Sequence, residues 1–137
     1  MLRAETRMRA RALQLLYALE ITGDATTDVG ADGLARLTGD VRLVVDDVEP
    51  MVRHILARRA DIDRLAQAAT DNWRLERLAT VERNILRIAI YELQCGEVPA
   101  KVVIDEALWL AHRFAGGRAP AFINGVLDRV GRDLGRL

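Results

Sequence analysis

The chain has 137 residues, half of them hydrophobic and 29% charged, and its 20 basic and 20 acidic side chains cancel to a formal charge of zero. That is enough chain for one domain with its own core and too apolar a mixture for a disordered one. No apolar run approaches the ~20 residues of a membrane span, and the basic N-terminus lacks the apolar segment of a secretion signal.

The charge is unevenly spread: residues 1–20 hold four Arg and two Glu, whereas residues 21–50 hold seven acids and two Arg. Of the 20 basic residues only Lys101 is lysine, which carries little functional weight. A single cysteine, Cys95, cannot form an internal disulfide, and a reducing cytoplasm is the expected compartment.

Residues 6–22 read as the first helix, with Ala12, Leu15, Leu16 and Leu19 at helical spacing and Gly23 ending it. Arg3, Arg7 and Arg11 step by four and share one side, while Arg9 points away from them. All four make one patch only if the first residues form a flexible arm. A solvated helix start and an RNA contact are both open, and spacing alone favours the first.

Residues 23–46 are rich in Gly, Asp and Thr, and one short helix near Leu34 and Leu37 is expected between loops. Leu43-Val44-Val45 has no second strand to pair with and reads as the start of a helix. Asp47 is the expected N-cap of a long third helix, with Pro50 in its first turn. Val48, Met51, Val52, Ile55, Ile62, Leu65, Ala66 and Ala69 hold one face to about residue 69. Asp71-Asn72 breaks the pattern, and Trp73 is expected to plug the core beneath the turn that leads onward.

The stretch Val81 to Leu93 is apolar around about half its wheel, the mark of a helix wrapped by others. Thr80 is the expected cap, Glu82 suits the first turn, and Gly96 with Pro99 supplies the stop. Arg83, Arg87, Tyr91 and Gln94 form one narrow wet edge. Glu92 falls inside the apolar arc and needs a partner if buried.

A helix follows Pro99 to about Ala115, buried along Val103, Ala107, Leu110, Ala111 and Phe114. Trp109 points to the opposite side, either half covered by a neighbour or available to a second protein. Gly116-Gly117 ends this helix, and Pro120 opens the last one, with Ile123, Val126, Leu127, Val130 and Leu134 as its stripe. Phe122 lies on the shoulder of that stripe beside Arg118, either folded onto its neighbours or placed to stack on an unpaired base. Residues 1–137 thus read as a single all-α domain of about six or seven helices.

No catalytic or metal site stands out. His54 and His112 are far apart and no metal-ligand spacing occurs. Gly116-Gly117 is a helix stop and not a phosphate loop. Asp61, Asp63, Asp105 and Glu106 read as solvated helix faces. No cofactor and no enzyme activity are expected.

Three blocks carry a resemblance: ARALQLLYALE near the N-terminus, NWRLERLATVERNILRIAIYEL in the middle, and PAKVVIDEALWLAHRFAGG followed by FINGVLDRV. In order and spacing they resemble the NusB family of transcription antitermination factors across nearly the whole chain. The resemblance implies two packed helical subdomains and a role without catalysis. It further implies binding to boxA elements of ribosomal RNA leader transcripts together with NusE, a small-subunit ribosomal protein, in a complex on RNA polymerase.

By position, the RNA-contacting residues it implies are Arg7, Arg9, Arg11, Lys101, Arg118 and Phe122. Tyr17, Glu76 and Glu82 would meet NusE. Trp109 stands where the family usually has a polar residue and would mark a homodimer contact, since some NusB proteins dimerise. Glu5, Thr6 and Met8 interrupt a run that is usually more densely basic. Ala100 replaces an aromatic, Asp105 an asparagine, and Arg118 an acidic residue. Two other readings remain: a detached RNA-binding domain of an rRNA cytosine methyltransferase, and a scaffold that keeps NusE but has lost RNA.

Overall fold

The computed structural model describes residues 3–22 and 48–137, and these contain six α-helices and no strand. In chain order they are α1 (Ala4–Thr22), α2 (Glu49–Ala57), α3 (Arg59–Ala68), α4 (Thr80–Cys95), α5 (Ala100–Leu110) and α6 (Ala119–Asp133). A 3-10 turn, Leu75–Arg77, precedes α4, and a π turn, Ala111–Ala115, prolongs α5. The expected helix near Leu34 and the Asp47 cap lie outside the described residues. Among the described residues no helix is long and apolar enough to cross a membrane.

The chain divides into two compact units, Met1–Arg58 and Arg59–Leu137. In the first, α1 packs on α2, burying Ala12, Leu15, Leu16 and Leu19 on one side and Val48, Met51, Val52 and Ile55 on the other. The expected stripes hold, and Pro50 sits in the first turn of α2.

The expected single helix to residue 69 is in fact two. At Arg58 the backbone turns to φ −106°, ψ 12°, and its N–H is shared between the carbonyls of His54 and Ile55 at 3.1 and 3.2 Å. Such a bifurcated bond tightens a last helical turn. Neither Gly nor Pro marks the spot, so the apolar spacing runs through it unbroken.

In the second unit α4 is the centre, packed by α3, α5, α6 and the π turn. Every residue from Asn84 to Ile90 is buried, and the Ile and Leu side chains there contribute roughly 1.5–3 kcal/mol each. The wrapped helix is therefore as expected, but its wet edge is not continuous. Arg87 is buried, because Asp63 of α3 reaches it with both carboxylate oxygens, at 2.8 and 2.9 Å from Nε and Nη2. Its Nη1 donates to Asn84 Oδ1 at 3.0 Å. Asp63 is accordingly a structural partner and not a solvated face, and Glu106 of α5 is also buried, against expectation. Glu92 is buried as expected.

The expected Thr80 cap is also corrected. Ala79, extended at φ −60° and ψ 145°, is the N-cap and no side chain caps the helix. Thr80 already belongs to the first turn, and its carbonyl accepts from Asn84 Nδ2 at 2.9 Å. The stop is as read: Gly96 adopts φ 74° and donates its N–H to Glu92. The chain end returns here, where Arg136 donates to the carbonyls of Leu93 and Val98 at 2.6 and 3.0 Å.

Along α5, Val103, Ala107, Leu110 and Ala111 are buried as expected. The π turn then changes the register. Gly116 N–H reaches back five residues to Ala111 at 2.8 Å, and the extra residue in that turn swings Phe114 off the stripe. Phe114 meets Trp109 edge to face, with ring centroids 6.5 Å apart. Trp109 is consequently half-buried by its own helix and does not stand out from it.

Candidate nucleic-acid interface

The first turns of α1 sort the arginines. Arg3 and Arg7 are exposed and Arg11 is half-buried, one helical turn apart along one edge. Arg9 is 5% exposed and shares the inward side with buried Thr6. The flexible arm that would have united all four does not exist, because α1 is already helical from Ala4. Arg9 is therefore corrected from a phosphate-facing cation to an inward one. Arg7 and Arg11 share the edge that a helical step of four gives them.

In the second unit Arg118 is the N-cap residue of α6 and is exposed. Its carbonyl accepts from Phe122 N–H at 3.2 Å, so Phe122 stands one turn further along. Ile123, Val126, Leu127 and Val130 take the buried side of α6, leaving Phe122 half-buried on the shoulder, as read. Lys101 is exposed in the first turn of α5. Arg118 follows the far end of that helix, roughly 20 Å of helical rise away, so these two cations are not neighbours.

What Phe122 meets could not be read from spacing. Its ring packs edge to face with Trp73, centroids 6.3 Å apart and planes at 76°. Trp73 is 59% exposed and is not the expected core plug. The loop after α3 is held by its backbone: Gln67 Nε2 donates to the Trp73 carbonyl at 2.8 Å, and Gln67 Oε1 accepts from Leu75 N–H at 2.8 Å. The Thr70 hydroxyl lies 3.1 Å from the same Trp73 carbonyl. This clamp turns Leu75 inward to be the plug and leaves the indole outside.

The residues expected to meet a protein partner lie in both units, Tyr17 in the first and Glu76 and Glu82 in the second. Tyr17 is 42% exposed near the end of α1, and Ile21, one turn on, is 61% exposed. Ile21 was missed, although its spacing of four from Tyr17 and its place off the buried stripe were visible. Glu76 is exposed on the 3-10 turn, and Glu82 is half-buried in the first turn of α4. Arg83 Nη1 ties the two pieces together, 3.0 Å from the Leu78 carbonyl and 3.4 Å from those of Leu75 and Glu76. Among the described residues no group of three His, Cys, Asp or Glu is placed to hold a metal.

A profile described as the NusB family matches residues 6–132. The transcription antitermination protein NusB of Anaeromyxobacter sp. (strain Fw109-5) is 40% identical over 129 residues, covering 94% of this chain and 90% of that protein. Its counterpart in Sorangium cellulosum (strain So ce56) is 42% identical over 132 residues, covering 94% and 92%. Among solved structures, a T. maritima NusB superposes with a TM-score of 0.81 at 30% identity, covering 97% of this chain and 94% of that one.

Proposed function

The chain belongs to the NusB family of transcription antitermination proteins, which are not enzymes, and we propose from that membership and this geometry that it binds boxA-type single-stranded RNA of rRNA leader transcripts. It does so together with NusE, as part of the antitermination complex on RNA polymerase. The observation that carries the RNA contact is the start of α6, where exposed Arg118 stands one turn before an off-stripe Phe122. Arg7, Arg11, Lys101 and Arg118 neutralise phosphates in a salt-sensitive way. Phe122 stacks on an unpaired base. Tyr17 and Ile21 offer an apolar contact to NusE, while Glu76 and Glu82 face its basic side chains. A homodimer contact through the uncovered part of Trp109 is a separate proposal, and an unchanged oligomeric mass for Trp109→Ala removes it.

A scaffold that keeps NusE and has lost RNA is the second reading. It is favoured by the inward Arg9, which thins the basic edge of α1 further. The methyltransferase reading gains nothing from relatives that match this chain along 90% or more of their length and are named for antitermination.

The deciding experiment is a gel-shift titration with a boxA-type RNA and a scrambled control, with and without NusE, at two salt concentrations. Selective binding that NusE strengthens is the expected result. Binding to NusE with no preference between the RNAs selects the scaffold.

A further inference from the structure

We propose that Trp73 is a second base-contacting residue, forming with Phe122 one aromatic corner that holds an unpaired base of single-stranded RNA. The proposal rests on the RNA-binding reading of Phe122 and extends it to a residue from a different element.

Three observations carry it. First, the exposure of Trp73 is built in. A large apolar ring left 59% in water gives up the burial energy that usually places tryptophan inside. Here Gln67 and Thr70 fix the carbonyl of Trp73 while Leu75 takes the core position, so the indole is held outward by its own backbone.

Second, the ring planes stand at 76° with centroids 6.3 Å apart. Two nearly perpendicular rings form a corner: a base lying flat on one ring meets the other along its edge, both favourable contacts for a π-system. The rings sit on the clamped loop and on α6, so the corner is fixed before a base arrives.

Third, cations flank both rings. Arg118 precedes Phe122 by one turn, and Arg74 follows Trp73; both are exposed. Arg74 lies 3.9 Å from the Glu76 carboxylate with both side chains more than 70% exposed, a pair that solvent and salt largely screen. Aromatic faces between cations suit a nucleotide, whose base and phosphate make opposite demands. A purely apolar partner would leave the two guanidinium groups without use.

The test uses the full chain with NusE and a fluorescein-labelled boxA-type single-stranded RNA, followed by anisotropy. Base stacking on an aromatic side chain is lost with W73L, and the affinity falls by about 5- to 150-fold. W73F keeps a ring and stays within about 3-fold of wild type. Labelling with 5-fluorotryptophan adds a readout that a merely supporting role would not move. The two tryptophans give two fluorine resonances, W73F identifies the one from Trp73, and that resonance shifts when the RNA is added. Wild-type affinity in W73L, or a Trp73 resonance that stays in place, overturns the inference while F122L still losing affinity leaves the RNA reading intact. Absence of RNA binding by the wild-type chain with NusE overturns both.

Discussion

Removing one partner of the Arg87–Asp63 pair is expected to destabilise the second unit more than almost any other single polar change. The arginine makes two charge-assisted bonds to Asp63, at 2.8 and 2.9 Å, and a third to Asn84 at 3.0 Å. Its side chain is 10% exposed and that of Asp63 27%. Breaking a buried ion pair costs roughly 3–5 kcal/mol, most of it from the charge left behind. Asp63 keeps some water, so Arg87→Met, which preserves the stem but removes the donor from both the carboxylate and the buried Asn84 Oδ1, should cost about 3 kcal/mol, the low end of that range. Asp63→Ala takes the carboxylate from the more deeply buried guanidinium, which keeps Asn84, and should cost about 3–4 kcal/mol. The double variant leaves no unpaired charge, and its cost should fall short of the sum by about 2 kcal/mol. Both tryptophans lie in the unit Arg59–Leu137, so urea unfolding followed by their fluorescence reports on that unit. Costs that add to within about 0.5 kcal/mol would show that the two groups are not coupled and would refute the reasoning.

Gly96→Ala places a Cβ where φ is 74° and where Arg136 Nη1 would lie 3.3 Å away. A loss of about 1–2 kcal/mol is expected, seen as a lower thermal midpoint. Gly125→Ala is the contrasting case, an exposed position in α6 with open space for the new methyl group; it should raise stability by about 0.5–1 kcal/mol in the same melt. In RNA titrations across several salt concentrations, Lys101→Ala and Arg118→Ala should each reduce the slope of log K against log salt by about 0.7, one phosphate contact on a single strand. Arg9→Met should leave that slope unchanged and lower the unfolding midpoint instead. A reduced slope for Arg9→Met would return this residue to the RNA surface.

The fold was legible wherever one element reports on itself. The stripes of α1, α4, α5 and α6 follow from spacing, and the stops at Gly96 and Gly116 follow from the chirality that makes left-handed backbone costly for other residues. The errors share a cause. The break at Arg58 and the uncapped start of α4 are backbone events without Gly or Pro to announce them, and the π turn adds its extra residue ahead of the Gly116 stop, so that the stop is visible and the change of face is not. Phe114 leaves its stripe by that route. Buried polar residues fail in a different way. A wheel assigns Arg87 and Asp63 to wet faces because it sees one helix at a time, and burial becomes affordable only when the two helices meet.

The same limit governs the candidate site. Arg118 and Phe122 were readable because they share a helix start, where one turn sets their relation. Arg9 was misplaced because its role depended on whether residues 4–11 were helical, and once they are, a step of two from Arg7 sends it inward. Trp73 was hidden by a general preference that is right for the average tryptophan and wrong here. The decisive residues were Gln67 and Thr70, ordinary polar side chains whose bonds to the backbone choose Leu75 for the core. That choice determines which ring meets Phe122 from across the fold. A local polar clamp thereby turns a core-type residue into a surface one, and gives the start of α6 a neighbour that neither segment would suggest alone.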